Sequence, residues 1–277
     1  MRRQQVACGV KRGLSQRRAC ALFSVARSTL HYQSALARKD APVLVAMRRL
    51  ARFYPRFGYR RIAILLRRDG FPMSFDRAWR LWRNAALQVP RKGRQRRPAN
   101  SRPRPMPPEK RHHVWAYDFV FDRCANGQVL KCLTVVDEFT RECLAIDVGG
   151  RIRSARVIDQ LARLVSVHGA PRHLRSDNGG EFLSRAILKW LTDRHINTAF
   201  IDRGKPWQNG LDESFNGKFR DECLNMEWFR SRAEAKVIIE SWRQHYNHVR
   251  PHSSLNYLTP NEFIDTLPER ASQPAML

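Results

Sequence analysis

The spacing of hydrophobic positions changes character near residue 113. Before it, apolar residues recur at helical intervals. Residues 14–32 predict two short helices, with Ser15 as N-cap, an apolar face of Ala19, Cys20, Leu22 and Phe23, and a break near Ser24-Val25. Residues 43–53 predict an amphipathic helix. Phe57-Gly58-Tyr59-Arg60-Arg61-Ile62 opens a second helix, which Gly70 closes. Ser74 caps a third over 75–87, with Ala78, Trp79, Leu81 and Trp82 inward and Arg77, Arg80 and Arg83 outward.

After residue 113 the apolar runs become short and dense. Val114 to Phe121 reads as a buried strand, followed by a turn at Ala125-Asn126-Gly127. Strands over 130–136 and 142–148, a helix over 155–167, a strand over 172–176, a helix over 184–194 and a strand over 198–201 follow. A helix then runs from Glu213 to Asn225, and another covers 232–246. The expected architecture is α+β: a mixed sheet with helices on both faces, preceded by small all-α units. Four segments follow: residues 1–37, a helix-turn-helix; 41–89, a helical domain; 90–112, a linker; and 113–267, a core with a helical tail. Residues after 267 read as unstructured.

Charge sharpens that division. The net charge of +26 is concentrated at one end. Residues 1–113 hold 29 Lys/Arg against 4 Asp/Glu, whereas 114–277 hold 22 against 21. So one-sided an excess points to a polyanion, by default nucleic acid. The linker, with six prolines and nine Lys/Arg over 90–111, buries too little to fold and suits phosphate tracking. Arg27, Ser28, Arg60, Arg61, Arg77 and Arg80 are the helical candidates for DNA contact. Six cysteines form no C-x-x-C pair, which argues against a zinc site or disulfide framework. No apolar run approaches the ~20 residues that span a bilayer, and no signal peptide is apparent. The expectation is a soluble, cytoplasmic, nucleoid-associated protein with no membrane partner.

Three acids supply candidate chemistry. Asp118 sits mid-run in an apolar strand. Asp177 ends Arg175-Ser176-Asp177 just before Asn178-Gly179-Gly180, where a strand stops. Glu213 follows the loop Lys205-Pro206-Trp207-Gln208-Asn209-Gly210, with 35 residues between Asp177 and Glu213. Carboxylates on rigid elements are what a divalent cation needs for in-line phosphoryl displacement. Asp122, Asp137, Glu138 and Glu181 are rivals; Asp122 reads as exposed, Asp137 as structural and Glu181 as a loop contact. Asp212 neighbours Glu213 but turns ~100° away on a helix.

These motifs carry a resemblance. Trp115-x-x-Asp118, Ser176-Asp177-Asn178-Gly179, Asn209-x-x-x-Glu213-Ser214-Phe215-Asn216-Gly217 and Tyr246-Asn247-x-x-Arg250-Pro251-His252 resemble the DDE transposases of bacterial insertion sequences, in particular the product of a second open reading frame. Those proteins are similar to retroviral integrases and share the ribonuclease H-like fold. The resemblance covers nearly the whole chain. It implies cleavage and strand transfer of DNA at element ends, with two Mg²⁺ or Mn²⁺ ions held by Asp118, Asp177 and Glu213, and Asp118 shared between them. It also implies DNA contact by Arg220, Lys218 and Asn178. The implied partners are terminal-repeat and target double-stranded DNA, a homo-multimer, and an upstream helix-turn-helix/leucine-zipper product that is fused or added. A departure from the pattern at Gly210-Leu211-Asp212 sets a second negative charge beside Glu213. Two alternatives stay open: a ribonuclease H-like nuclease without joining activity, and a catalytically silent DNA-binding remnant.

Overall fold

The computed structural model describes residues 2–32, 35–90, 106–176, 184–200 and 210–268. Most of the linker, Asp177, Asn178, Glu181, the loop before Gly210 and the residues after 268 lie outside that set. The chain divides into two compact units, Met1–Gln88 and Val89–Leu277.

The first unit is helical. Helices α1 (Arg2–Lys11), α2 (Gln16–Leu22) and α3 (Arg27–His31) gather on Val6, Ala19 and Cys20, with Phe23, Val25 and Leu30 packed alongside. Ser15 caps α2 as expected, its Oγ accepting from the Arg18 amide at 3.3 Å. Ser24 takes a positive φ of 50° where the chain turns. Helix α1 escapes the periodicity reading because it buries only Val6 and Gly9. It docks through that glycine: a Cβ there would stand 3.3 Å from Phe23 Cε2.

Helices α4 (Ala35–Phe53), α5 (Tyr59–Arg68) and α6 (Phe75–Asn84) complete the unit. Helix α4 begins well before residue 43 and carries Pro42 inside it. A proline normally marks a boundary, which is why the pattern places the start later. Met47, Ile62, Leu66, Ala78, Leu81 and Trp82 are buried. Trp79 corrects the pattern: it is 47% exposed, with the Arg83 guanidinium 5.4 Å from its ring centroid. Arg77 and Arg80 also differ from the expected outward pose. Both bend onto buried Asp40: Arg77 Nη2 lies 2.8 Å from Oδ1, and Arg80 Nη2 lies 2.8 Å from Oδ2. Burial pushes the Asp40 carboxyl up, but hydrogen bonds and charge from the two arginines outweigh it and hold the group below its usual range.

The second unit is built on a five-stranded sheet. Strands β1 (Val114–Arg123), β2 (Val129–Asp137), β3 (Cys143–Gly149), β4 (His173–Ser176) and β5 (Asn197–Phe200) lie in the order β3-β2-β1-β4-β5. The first three are antiparallel, and β4 and β5 run parallel to β1. Gly127, at φ 78°, closes the β1–β2 turn, and the Asn126 side chain accepts from the Gln128 amide. Helices α7 (Ser154–His168) and α8 (Arg185–Asp193) cover one face over Trp115, Tyr117, Leu133 and Leu174. Helices α9 (Gly210–Glu222) and α10 (Arg232–His248) cover the other over Val120, Cys132 and Val136. With both faces buried, the central strands are mostly apolar, as the dense runs predict, with Asp118, Lys131 and Thr134 among the exceptions. The order βββαβαβα and the mixed sheet are those of a ribonuclease H-like core.

The tail closes the core. Asn247 on α10 brackets Cys143 of β3: its Oδ1 accepts from the Cys143 amide and its Nδ2 donates to the Cys143 carbonyl, both at 2.9 Å. Arg250 forks onto Glu222 at the end of α9 with two bonds of 2.6 Å. Helix α11 (Pro260–Asp265) starts from a capping box between Thr259 and Glu262. Asp137 is structural, as expected: fully buried, it accepts from the amides of His112, Phe139 and Thr140 and from the Thr140 hydroxyl.

Candidate active site

Asp118 sits in the middle of β1, opposite Thr134 of β2. Its Oδ1 accepts from the Phe119 amide at 2.7 Å, and its Oδ2 accepts from Asn216 Nδ2 on α9 at 2.7 Å. Thr134 Oγ1 lies 3.2 Å from the Asp118 carbonyl and 3.4 Å from Asn216 Oδ1. A strand residue, its cross-strand neighbour and a helix amide therefore lock together. Further along, Arg220 Nη1 donates to the Phe121 carbonyl of β1 at 3.2 Å.

Those contacts fix how α9 faces the sheet. Positions 213, 216 and 220 are spaced by three and four, so they share one helix face. Asn216 and Arg220 on that face both touch β1, and Glu213 is exposed one turn earlier. The neighbouring face carries Leu211, Phe215 and Phe219 into the core, and Asp212 with them at 3% exposure. The second charge foreseen beside Glu213 is thus directed toward the core rather than onto the Glu213 face. Strand β4 runs parallel to β1, with Arg175 opposite Ala116, and ends at Ser176, one residue before Asp177. Asp177 and Asn178 themselves lie outside the described residues.

The rival acids have other tasks. Asp122, expected to be exposed, is half-buried at the end of β1 and accepts from the Arg123 amide at 2.8 Å. Glu138 is fully buried, with Oε1 3.5 Å from Arg175 Nε. Of the expected DNA contacts, Lys218 sits half-buried on α9 with Nζ 3.0 Å from Ser214 Oγ. Arg27 and Ser28 are exposed at the start of α3, and Arg60 is exposed on α5. Arg61 stacks its guanidinium 5.1 Å from the Phe57 ring centroid. Asn216 is the residue whose role the motif alone does not reveal; its signal was the three-residue step from Glu213.

The match to known proteins is broad. The integrase core domain family matches over residues 108–206, and a second integrase core domain description matches over 194–260. The chain is 42% identical over 265 residues to the insertion element IS407 uncharacterized 31.7 kDa protein of Burkholderia multivorans, covering 96% of each. It is 30% identical over 253 residues to transposase InsD for insertion element IS2A/D/F/H/I/K of Escherichia coli, covering 81% of this chain and 79% of that one. The chain belongs to the insertion-sequence transposases with an integrase core. Among solved structures, the magnesium-bound HTLV-2 integrase catalytic core domain matches at 20% identity and a TM-score of 0.43, over 57% of this chain and 99% of that one. Membership of that family makes the transposase a phosphoryl-transfer enzyme acting on DNA, of a kind that uses a divalent metal. The donor set suits a hard cation, since Asp118 and Glu213 offer only carboxylate oxygens on the face where α9 meets β1.

Proposed function

We propose that Asp118, Asp177 and Glu213 are the catalytic acids of this transposase, and that they cut and join DNA at the ends of an insertion sequence. The observation that carries the reading is the 2.7 Å bond from Asn216 to Asp118, because it clamps the helix bearing Glu213 against the strand bearing Asp118. The end of β4 directly before Asp177 supports the third member. Asp118 and Asp177 would hold one Mg²⁺ or Mn²⁺, and Asp118 and Glu213 a second. When bound, such ions lower the pKa of a water or 3′-hydroxyl nucleophile and stabilise the leaving 3′-oxygen. The chain's own part is positional. The Phe119 amide and the Asn216 side chain orient the two oxygens of Asp118. Arg220, anchored on the Phe121 carbonyl, sets a cation beside the path of the DNA backbone.

The basic helical segments at 1–37 and 41–89 would select the element's terminal repeats, with the linker tracking phosphates. Two ends and one acid set per chain call for a homo-multimer, and an upstream helix-turn-helix/leucine-zipper product would join it. The test is metal-dependent nicking of supercoiled plasmid by wild type and Glu213→Gln, with DNA binding followed alongside. Nicking by wild type and binding without nicking by the variant are expected. A variant that nicks as fast as wild type would remove Glu213 from the site.

A further inference from the structure

A cleft of about 390 Å³ opens beside α9, on the flank of Glu213 away from Asp118. Positions 210, 214 and 218, one turn apart along α9, form one wall. The other wall comes from distant sequence: Arg141, in the turn between β2 and β3, and Ser253 and Ser254, after the Arg250-Pro251-His252 motif. The lining thus offers the cations of Arg141 and Lys218 and the hydroxyls of Ser214, Ser253 and Ser254, and among the described residues it includes no carboxylate. The two serines of the tail and Ser214 are exposed, so the hydroxyls stand at the mouth. The floor is Val136, Leu211, Phe215, Tyr246 and the buried imidazole of His252.

Two cations facing across a hydroxyl-lined mouth are suited to a phosphodiester. The floor excludes base stacking. Phe215 and Tyr246 are each only 2% exposed, and their rings pack against one another at 5.1 Å and against Trp242 at 5.9 and 5.2 Å. His252, 3% exposed, stands edge-on to Tyr246 at 4.6 Å, so no ring among the described lining residues presents an open face to a base. The geometry points to a second DNA-backbone site in this cleft, holding a phosphate and its sugar by Arg141, Lys218 and the three serines, independent of sequence. It rests on the reading of Glu213 only for its place beside the acids. Its effect is to guide the DNA strand along α9 from the side opposite Asp118. It also gives the tail motif a second task beyond closing the core.

The full chain with the double substitution Arg141→Gln/Lys218→Gln tests the assignment on two short fluorescent duplexes of unrelated sequence. The logarithm of the binding constant is followed against the logarithm of salt concentration. Each lost phosphate contact lowers the slope by about 0.9, so the pair should lower it by about 1.8 on both duplexes. Arg163→Gln/Lys189→Gln, which removes two exposed cations from α7 and α8 on the opposite sheet face, should leave the slope unchanged. Equal slopes for the cleft pair and wild type, or equal falls for both pairs, overturn the assignment; a fall on only one duplex overturns backbone recognition. Should the cleft pair fail to fold, Ser254→Asp decides. This exposed change should weaken binding at low salt, whereas Ser166→Asp on α7 should not, and equal binding by the two overturns the site. Glu213→Gln, run in parallel for nicking, separates the two readings: a variant that nicks normally defeats the acid assignment and leaves the slopes to judge the cleft.

Discussion

Replacing Arg250 should unfold the catalytic unit far more readily than its position in a tail suggests. Its side chain is 1% exposed and that of Glu222 is 8%, and the two meet through paired bonds of 2.6 Å. The guanidinium also lies 5.5 Å from the Tyr246 ring centroid. Glu222 is the last residue of α9, where a negative charge opposes the helix dipole, so the arginine offsets an end effect as well as a buried charge. Removing one partner of such a pair costs about 3–5 kcal/mol, because the other charge stays in a low-dielectric site. For a unit of this size each kcal/mol moves Tm by about 2–4 °C, so Arg250→Met should lower the melting of residues 89–277 by roughly 6–20 °C. Differential scanning calorimetry of the full chain, with nicking as a second readout, measures it. The double variant Arg250→Met/Glu222→Leu should recover most of the loss, since apolar replacement of a whole buried pair is often neutral. A loss below about 1 kcal/mol for Arg250→Met would refute the reasoning, as would a double variant no better than the single one. An unchanged Tm with a reduced salt slope for DNA would show that the arginine serves DNA instead.

Other consequences can be checked alongside. Asn216→Ala should cut nicking by about 10–100-fold at unchanged DNA affinity, the usual scale for a side chain that orients a metal-ligand carboxylate, and raising the Mn²⁺ concentration should restore part of it. Asn216→Asp should be worse, because it puts a like charge against Asp118. Asp40→Asn should destabilise the helical unit by about 1.5–3 kcal/mol, the range for hydrogen bonds to charged groups, as read by circular dichroism during urea unfolding. Because the folded Asp40 pKa lies below its ordinary 3.8, that contribution is complete above about pH 3.8 and fades as pH falls through the folded value. His168, His173 and His245 all have pKa values lowered from 6.5, chiefly by burial. The unfolded chain therefore binds protons first, and the catalytic unit should lose stability as pH drops below about 6.5, by up to about 1.4 kcal/mol per pH unit for each histidine. His245→Gln should flatten that slope, and an unaltered slope would remove His245 from the account.

The core of the fold was legible because its determinants are short-range. Dense apolar runs, Ser74 and Ser184 at helix starts and Gly127 at the hairpin each act within a few residues, and the strands and helices α7 and α8 fall within about two residues of the predicted bounds, whereas α9 lies three residues earlier than predicted and α4 starts eight residues earlier. The misreadings involve contacts between elements. Trp79 looks like core by spacing, yet the seam of α6 is filled by Ala78, Leu81 and Trp82, and the indole is left outside. Arg77 and Arg80 look like free cations, because no local rule announces that Asp40 will be buried against them. The site divides in the same way. Asp118 and Glu213 stand out by residue type and spacing. Asn216, an ordinary helix residue in the sequence, acquires its role only when α9 crosses β1.

Helix α9 shows why so unequal a set of residues shares one stretch of chain. Phe215 and Phe219 hold it against α10 by burying aromatic area on Trp242 and Tyr246, and against the sheet in the cluster with Val120, Cys132 and Val136. Arg220 and Asn216 then set its rotation through bonds to the Phe121 carbonyl and to Asp118. Glu222, tied to Arg250, fixes its far end. These three kinds of contact set the rotation and depth of the helix, and so the place on the sheet from which the exposed Glu213 side chain projects. If Glu213 holds a cation as proposed, its placement comes from buried neighbours on its own helix. Damage at Phe219 or Glu222 should therefore reach nicking before it reaches DNA binding. Phe219→Ala should lose cleavage at temperatures where its salt slope for duplex DNA still equals that of wild type, and joint loss of both would mean that the whole unit had unfolded instead.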